Sequence, residues 1–456
     1  ANGAATLNSE VRGELAKPNL HAVLSQRVLG LLARRPVADT RPLRDTILGT
    51  SITGTGNTTG LVSLSLLPSR GSARLAFGLS GAIDSRTVGA NGPVLIRTKG
   101  DTRFHANKIV ELTDESFRVL PADIDAKTSS RTQSINKSGG RFGKKIVEAI
   151  AAKKVDEARG QANAIASRKA ERQVAGEFDQ QVVDEVRFAR KRYDDLVRKP
   201  LRRRGAQPKR VDFSTTSNQL TTTALLATPR QLGAAGPPPA PPGGDVSLLL
   251  HQSALSNVAD AFLGGATIRR RGADQPTEID AVLPQRLREA LAKQPAADND
   301  ATGEKNDKPF RPWSITLRRE RPVSFVFADG TVTALVHTAR IESGEAAYRG
   351  WDLILTYRLV MDAGRWYAEL VGEFDVLPTS FDPGAPRARL ASRQRALRRN
   401  LAKQLTARAL EDPDFPRRPE LRPIDLARLN KPGLDWLAIR TVDSNDGWLT
   451  LSFDAL

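Results

Sequence analysis

VLSQRVLGLLARRPVAD, residues Val23 to Asp39, has a near-copy far downstream in VLPQRLREALAKQPAAD, Val282 to Asp298. Nine of the seventeen positions are identical. Each stretch reads as a short amphipathic helix stopped by a proline. One match carries little weight in a chain rich in Ala, Leu and Arg, but others follow in the same order. Ser51–Thr53 and Ser314–Thr316 both spell SIT, and FRVLP at Phe117–Pro121 is answered by FDVLP at Phe374–Pro378. A basic helical segment comes next in each half. Each half then closes on a strand-like stretch, VDFSTTSNQLT from Val211 and LDWLAIRTVDSNDGWLT from Leu434. The shared order points to an internal duplication.

The stretch between the copies is PRQLGAAGPPPAPPGGD, Pro229 to Asp245, which favours extended polyproline II and is expected to hold two bodies apart. The expected organisation is a first module over residues 19–228, a Pro/Gly-rich linker over 229–244 and a second module over 245–456. DVSLLLHQSALSNVADAFLGG, Asp245 to Gly265, opens the second module as a strand running into a helix. No counterpart to it is visible before Val23.

The middle of each module alternates like antiparallel sheet. Ala73, Leu75, Phe77, Leu79 and Ile83 point one way, and Phe104, Ala106, Val110 and Leu112 do likewise further on. In the second module, WDLILTYRLVMDAGRWYAELVGEFDVLP reads as a hairpin turning at Asp362-Ala363-Gly364. Sheets apolar on one face must be covered. The obvious cover is the helical stretch Lys144–Arg204, which is expected either to project or to break at Gly160 or Gly176 and fold back. The fold class is therefore α+β, with two duplicated modules, each an antiparallel sheet packed with long amphipathic helices.

The net charge of +18 is concentrated. Arg141–Arg210 holds 20 Lys/Arg against 10 Asp/Glu, and Pro386–Leu410 holds 8 against none, which together account for the whole excess. Leu390, Leu397, Leu401 and Leu405 share a stripe of the second segment, framed by arginines. Arg202, Arg203 and Arg204 in the first segment, and Arg393, Arg395, Arg398 and Arg399 in the second, are the candidates for contact with an anionic surface. Aromatics to stack bases are almost absent between these residues, so no specific nucleic acid is expected. No apolar run reaches the ~18–20 residues of a membrane span, which leaves peripheral membrane contact only.

The chain has no cysteine, which excludes disulfides, thiolate metal sites and cysteine nucleophiles. It begins ANGAATLNSE, which fits a processed export product and gives a periplasmic or secreted location as the expectation. His21, His105, His251 and His337 show no metal-ligand spacing and read as structural. No nucleophile elbow, Walker loop or zinc-binding motif is present. GTGNTTG, Gly54–Gly60, misses the dinucleotide-binding spacing and reads as a turn. Asp123 and Asp125 share one face of a strand and read as a solvated strand end. DNDATGEKNDKP, Asp298–Pro309, places Asp298, Asp300 and Glu304 among oxygen ligands at calcium-loop spacing, but Pro309 stands where the bidentate Glu belongs. A plain polar linker is the better reading, and calcium is the only candidate ion; no other cofactor is expected.

Two such modules joined by a Pro-rich linker, cationic and free of cysteine, resemble the tubular lipid-binding family that includes bactericidal/permeability-increasing protein. The resemblance is architectural and spans nearly the whole chain. The absent disulfide and the length of the first basic helix depart from that pattern. It implies a curved sheet wrapped around a long helix, with acyl chains in an apolar groove. Leu75, Phe77 and Leu79 would line the groove in the first module, and Trp351, Leu353 and Leu355 in the second. The function expected is non-enzymatic: an envelope protein binding lipid or another amphiphile, its basic helices on anionic lipid or an acidic polymer. The alternative is a scaffold whose sheets are filled by their own helices. A convergent polar cluster in a cleft would instead point to an enzyme.

Overall fold

A computed structural model describes residues 15–138, 143–272, 275, 277–281, 312–379, 381, 389–411 and 415–456. The chain enters as strand β1 (Leu20–Ser25) and turns directly into helix α1 (Gln26–Ala33). Ser25 caps that helix, its side chain accepting from the Val28 N–H and satisfying one of the orphan donors of the first turn.

A long antiparallel meander follows: β2 (Arg35–Ile47), β3 (Thr50–Leu67), the two-residue β4 (Ser69–Arg70), β5 (Ala73–Asn91), β6 (Val94–Leu112), β7 (Phe117–Val119) and β8 (Asp123–Lys137). Its sheet order is β2-β3-β5-β6-β7, and β8 also pairs with β6. Helix α2 (Lys144–Tyr193) then runs 50 residues without a break and passes through a π turn at Asp194–Arg198 into a last turn, Lys199–Arg203. Of the two sequence alternatives, the break at a glycine with a fold-back does not occur. A Cβ at Gly160 or Gly176 would meet no atom within 4 Å, so these glycines put no demand on the backbone. The helix runs along the concave sheet, contacting β8, β6 and β2. At about 1.5 Å per residue it spans about 75 Å, and the 19-residue strands β5 and β6 span roughly 60 Å.

The sheet curls around α2 until both edges reach it. Along β8 the helix satisfies edge donors with its side chains: Ala126 N–H donates to Glu171 (3.3 Å), Thr128 N–H to Ser167 (2.9 Å) and Lys137 N–H to Glu148 (3.1 Å). Along β2 the closure is ionic, through Arg41–Glu177, Lys169–Asp45 and Arg35–Glu185. An unpaired strand edge is thereby covered on each side. The curl explains GTGNTTG, which is the interior of β3 and not a turn. A Cβ on Gly54 would lie 2.1 Å from the Arg86 carbonyl oxygen, one on Gly60 2.9 Å from that of Ser80, and one on Gly81 of β5 2.3 Å from that of Thr59. Neighbouring strands approach too closely at these points for any side chain.

The second half begins after β9 (Arg210–Thr215) and β10 (Gln219–Leu225) with β11 (Val246–His251) and helix α3 (Gln252–Leu263). Its sheet takes β12 (Thr267–Arg270), β13 (Glu278–Asp280), β14 (Trp313–Leu317), β15 (Val323–Ala328), β16 (Thr331–Ser343), β17 (Ala346–Tyr348), β18 (Trp351–Asp362), β19 (Arg365–Leu370) and β20 (Asp375–Pro378). Helix α4 (Ser392–Glu411), β21 (Glu420–Leu421), β22 (Ile424–Asp425), β23 (Trp436–Asn445) and β24 (Trp448–Ala455) complete the chain. The β18–β19 hairpin turns at Ala363 and Gly364, both at positive φ (47° and 77°), as a two-residue turn of the primed kind requires.

A third sheet joins the halves, in the order β22-β23-β24-β11-β1-β10-β9-β4. Strands β1 and β11 pair directly, from Leu20 opposite Leu250 to Leu24 opposite Val246. Outward from that pair, each side adds the two strands of a hairpin and then a two-residue strand. Two sequence expectations are corrected here. The strand–helix unit at Asp245–Gly265 does have a counterpart, which is β1–α1: Ser25 and His251 both cap a helix that begins with Gln, at Gln26 and Gln252. The near-copy at Val282–Asp298 lies outside the described residues. Nor does the Pro-rich stretch hold two bodies apart, since one sheet runs through both. Gly233 N–H donates to the Leu15 carbonyl (2.6 Å), Ala234 N–H donates to that of Lys17 (3.0 Å), and Ala234 is fully buried, so the stretch is docked at its start, while residues 239–244 are exposed.

Candidate ligand chamber

The concave face of the first sheet changes character along its length. Toward the central sheet it carries large apolar side chains: Leu79, Phe104 and Val110 are buried against Val174, Phe178 and Val182 of α2, with Leu75 and Phe77 packed beside them. Toward the far end the same strand faces present Ile83, Ser85, Thr87 and Gly89 on β5, Ile96, Thr98 and Gly100 on β6, and Thr128, Ser130 and Thr132 on β8. The facing side of α2 is Ala151, Ala158, Ala162, Ala166 and Ala170, with Val147 and Ile150 at its start. Small residues thus face small residues across a spacing that large ones fill elsewhere. The space left is a cavity of about 1040 Å³, at the upper end of the range for sites that take small molecules.

Its walls are mixed. Ile47, Ile52, Ile83 and Ile96 supply apolar area, while hydroxyls ring the sheet side and partly bond one another, as Thr102 does with Thr128 (2.8 Å) and Ser130 with Asn163 of the helix (2.6 Å). Arg44, Asp45, Lys154, Arg159 and Lys169 also line it. Near the start of the helix Ile146 and Ile150 are mostly exposed, as is Leu48 in the β2–β3 turn.

The groove residues implied by the family resemblance lie elsewhere. Leu75, Phe77 and Leu79 belong to the packed core and none lines the cavity. Trp351 and Leu353 are buried with Ile341 and Val376 against Leu401 and Ala402 of α4, and Leu355 packs on that cluster. The reason is the same in both halves: the helix following the sheet fills that part of its face. The signal for the chamber was present in the sequence as Gly, Ser and Thr recurring at alternate positions around Ile83 in the far half of β5 and Ile96 in the near half of β6, opposite alanines at helical spacing. It is a pattern of small residues, which apolar alternation does not score.

Of the proposed anionic-surface residues, Arg202, Arg203 and Arg204 are exposed at the end of the long helix, with the Arg204 guanidinium 6.0 Å from the Phe262 ring centroid. Arg393, Arg395 and Arg399 are exposed on α4. Arg398 is not free for a partner, because its guanidinium grips Asp375 through two nitrogens, Nε at 2.7 Å. On the expected leucine stripe, Leu401 is buried and Leu405 packs beside it, while Leu397 is exposed. The calcium candidates Asp298, Asp300 and Glu304 lie outside the described residues. Among the described residues no cluster of three or more His, Asp or Glu could hold a metal ion, and no helix is long and apolar enough to cross a membrane.

No family model and no curated protein matches the chain. Among solved structures, that of lipopolysaccharide binding protein aligns with a TM-score of 0.30 and 10% identity, covering 96% of this chain and 99% of that one. The structure of P47 from Clostridium botulinum A2 aligns with a TM-score of 0.28 and 9% identity, covering 96% and 97%.

Proposed function

We propose that this chain binds a lipid or another amphiphile in the chamber between α2 and the first sheet, and that its exposed arginines face an anionic surface. The observation that carries the reading is the cavity of about 1040 Å³ itself, an open-sided space between α2 and the sheet where alanines of the helix face Gly, Ser and Thr of the strands. A space of this size lies at the upper end of what small-molecule sites offer, and it has room for the apolar part of an amphiphile. Isoleucines interspersed with hydroxyls along the sheet suit a molecule with both apolar and polar parts. The chamber is read as a site that holds its ligand and does no chemistry on it. An exported, envelope-associated location accords with this role.

The two-module organisation, residues 19–228 and 245–456 with 229–244 between, belongs to the same proposal. The order of the central sheet supports it, since each half contributes the same series of strands outward from β1 and β11. The second reading, a scaffold with filled cores, draws its support from the other half, where Trp351 and Leu353 are covered by α4.

Native mass spectrometry of the full chain tests the proposal, with phosphatidylglycerol and single-chain detergents offered in turn. Stoichiometric adducts are expected in the wild type, and at least a ten-fold loss in Ala162→Trp, which places an indole in the chamber. An apo mass under every condition would leave the scaffold reading.

A further inference from the structure

On the far side of the second sheet from its core, three strands bring a serine, a histidine and an aspartate into one hydrogen-bonded line. Ser324 lies on β15, His337 on β16 and Asp352 on β18, with His337 and Asp352 directly opposite in their antiparallel pair. Ser324 Oγ is 3.0 Å from His337 Nε2, and His337 Nδ1 is 2.8 Å from Asp352 Oδ2. The other carboxylate oxygen, Oδ1, accepts from the Thr379 hydroxyl (2.9 Å) and the Thr338 N–H (3.3 Å). Burial pushes the Asp352 carboxyl up, but the hydrogen bonds from His337 and Thr379 outweigh it and leave the group below its ordinary value. Asp352 is therefore a carboxylate and can only accept. His337 then carries a proton on Nδ1, and in the neutral ring the Nε2 lone pair faces the Ser324 hydroxyl.

We propose that Ser324 is an activated nucleophile, with His337 as its base and Asp352 as the positioning residue, and that it cleaves carboxylic esters with an apolar acyl group. The surroundings set that substrate class. Leu335 stands opposite Ser324, Ile354 stands opposite Leu335, and Val326, two residues along the same face, is 43% exposed. Exposure falls along the line as a reaction site requires: Ser324 is half-buried, the His337 side chain 19% exposed and that of Asp352 11%. In the reaction Ser324 Oγ bonds to the ester carbonyl carbon and its proton passes to His337 Nε2. The bond to the leaving oxygen breaks, and that oxygen takes the proton from His337 and departs as the alcohol. Water then attacks the acyl-serine, giving one proton through His337 back to Ser324 Oγ and releasing the acid, so ester and water become acid and alcohol. None of the three residues lines the chamber, and loss of chamber binding would leave this site untouched.

The test uses the full chain, a fluorophosphonate probe with peptide mapping, and p-nitrophenyl butyrate. The expected result is a covalent adduct on Ser324 and ester turnover, both absent in Ser324→Ala. His337→Gln keeps a donor for Asp352 but supplies no base, and should slow labelling by about 10²–10⁴. Asp352→Asn offers the imidazole a donor, favours the wrong tautomer and should slow it as well. Failure to find an adduct on Ser324 in folded wild-type protein overturns the proposal, as does labelling of His337→Gln at the wild-type rate with its circular dichroism unchanged. Should His337→Gln not fold, the wild-type and Ser324→Ala adduct maps decide alone.

Discussion

Lys108 of β6 points into the space between sheet and helix and is ion-paired there with Asp179 of α2, the lysine side chain only 4% exposed. Its neighbours on that face are Ala106 and Val110, both buried. A charged head among apolar groups adds a directional contact in the middle of the helix–sheet interface, where the surrounding contacts of Val174, Phe178 and Val182 are apolar. Asp179→Ala would leave the ammonium buried without a partner. Removing one member of a buried pair costs about 3–5 kcal/mol, and because Asp179 is half-exposed the lower end applies. Lys108→Met combined with Asp179→Asn removes both charges and should recover most of that loss, as read from urea unfolding midpoints.

The glycines of the curled sheet separate into two kinds that mutagenesis should distinguish. Gly81→Ala sets a Cβ 2.3 Å from the Thr59 carbonyl oxygen and 2.6 Å from the Phe104 ring, and neither is free to retreat. A loss of about 2–3 kcal/mol is expected from overpacking. Gly160→Ala, in open space on α2, should stabilise by up to about 1 kcal/mol through helix propensity. Thermal melts of the two variants should therefore move in opposite directions.

Core and chamber residues on the same strand faces should behave differently. Leu79→Ala opens a hole in a filled cluster and is expected to cost about 2–5 kcal/mol. Ile96→Ala enlarges a space that is already open. It should cost under about 1.5 kcal/mol while weakening uptake of the offered amphiphile. Parallel denaturation and mass-spectrometric titrations check the pair.

At the seam between the halves, His21 of β1 and His251 of β11 both stand edge-on to Trp448, with ring centroids 5.5 and 5.1 Å away. Burial pushes both imidazoles below their ordinary value; for His21 a backbone hydrogen bond at Pro18 opposes part of the shift. The folded state thus favours neutral rings, and the unfolded chain binds protons first as pH falls. Stability contributed here is fully present above the unfolded value of about 6.5 and declines as pH drops from there toward the lowered folded values. Urea titrations followed by tryptophan fluorescence between about pH 7.5 and 5 should show that fall, and His21→Gln with His251→Gln should flatten it.

The arginines of α4 split in the same manner. Arg393→Gln, Arg395→Gln and Arg399→Gln should each weaken binding to anionic vesicles by about 1 kcal/mol, with stability unaffected. Arg398→Gln should instead lower stability, because Asp375 loses its bidentate partner. Vesicle sedimentation at two salt concentrations separates these effects.

Much of this architecture can be read from local pattern. The hairpin at Ala363–Gly364, the closing strand pairs and the helical stretch from Lys144 all carry their period or turn chemistry in a few adjacent residues. What could not be read depends on partners distant in the chain. Gly54, Gly56 and Gly60 look like loop residues because glycine usually breaks strands, and only the curl of the sheet makes them strand positions. The likeness of the two strand–helix turns at Ser25-Gln26 and His251-Gln252 is two residues long and surfaces only through the pairing of β1 with β11. Ser324, His337 and Asp352 are ordinary strand residues until three strands align them.

The direct pairing of β1 with β11 also bears on handling the protein in pieces. Cleavage of the polypeptide within 229–244 should leave the two fragments associated, because the sheet between them does not need that stretch to be intact. A recombinant half would expose a bare strand, β1 or β11, with its donors and acceptors unmet. Two such halves can satisfy one another, and a truncated product is accordingly expected to isolate as an exchanged dimer.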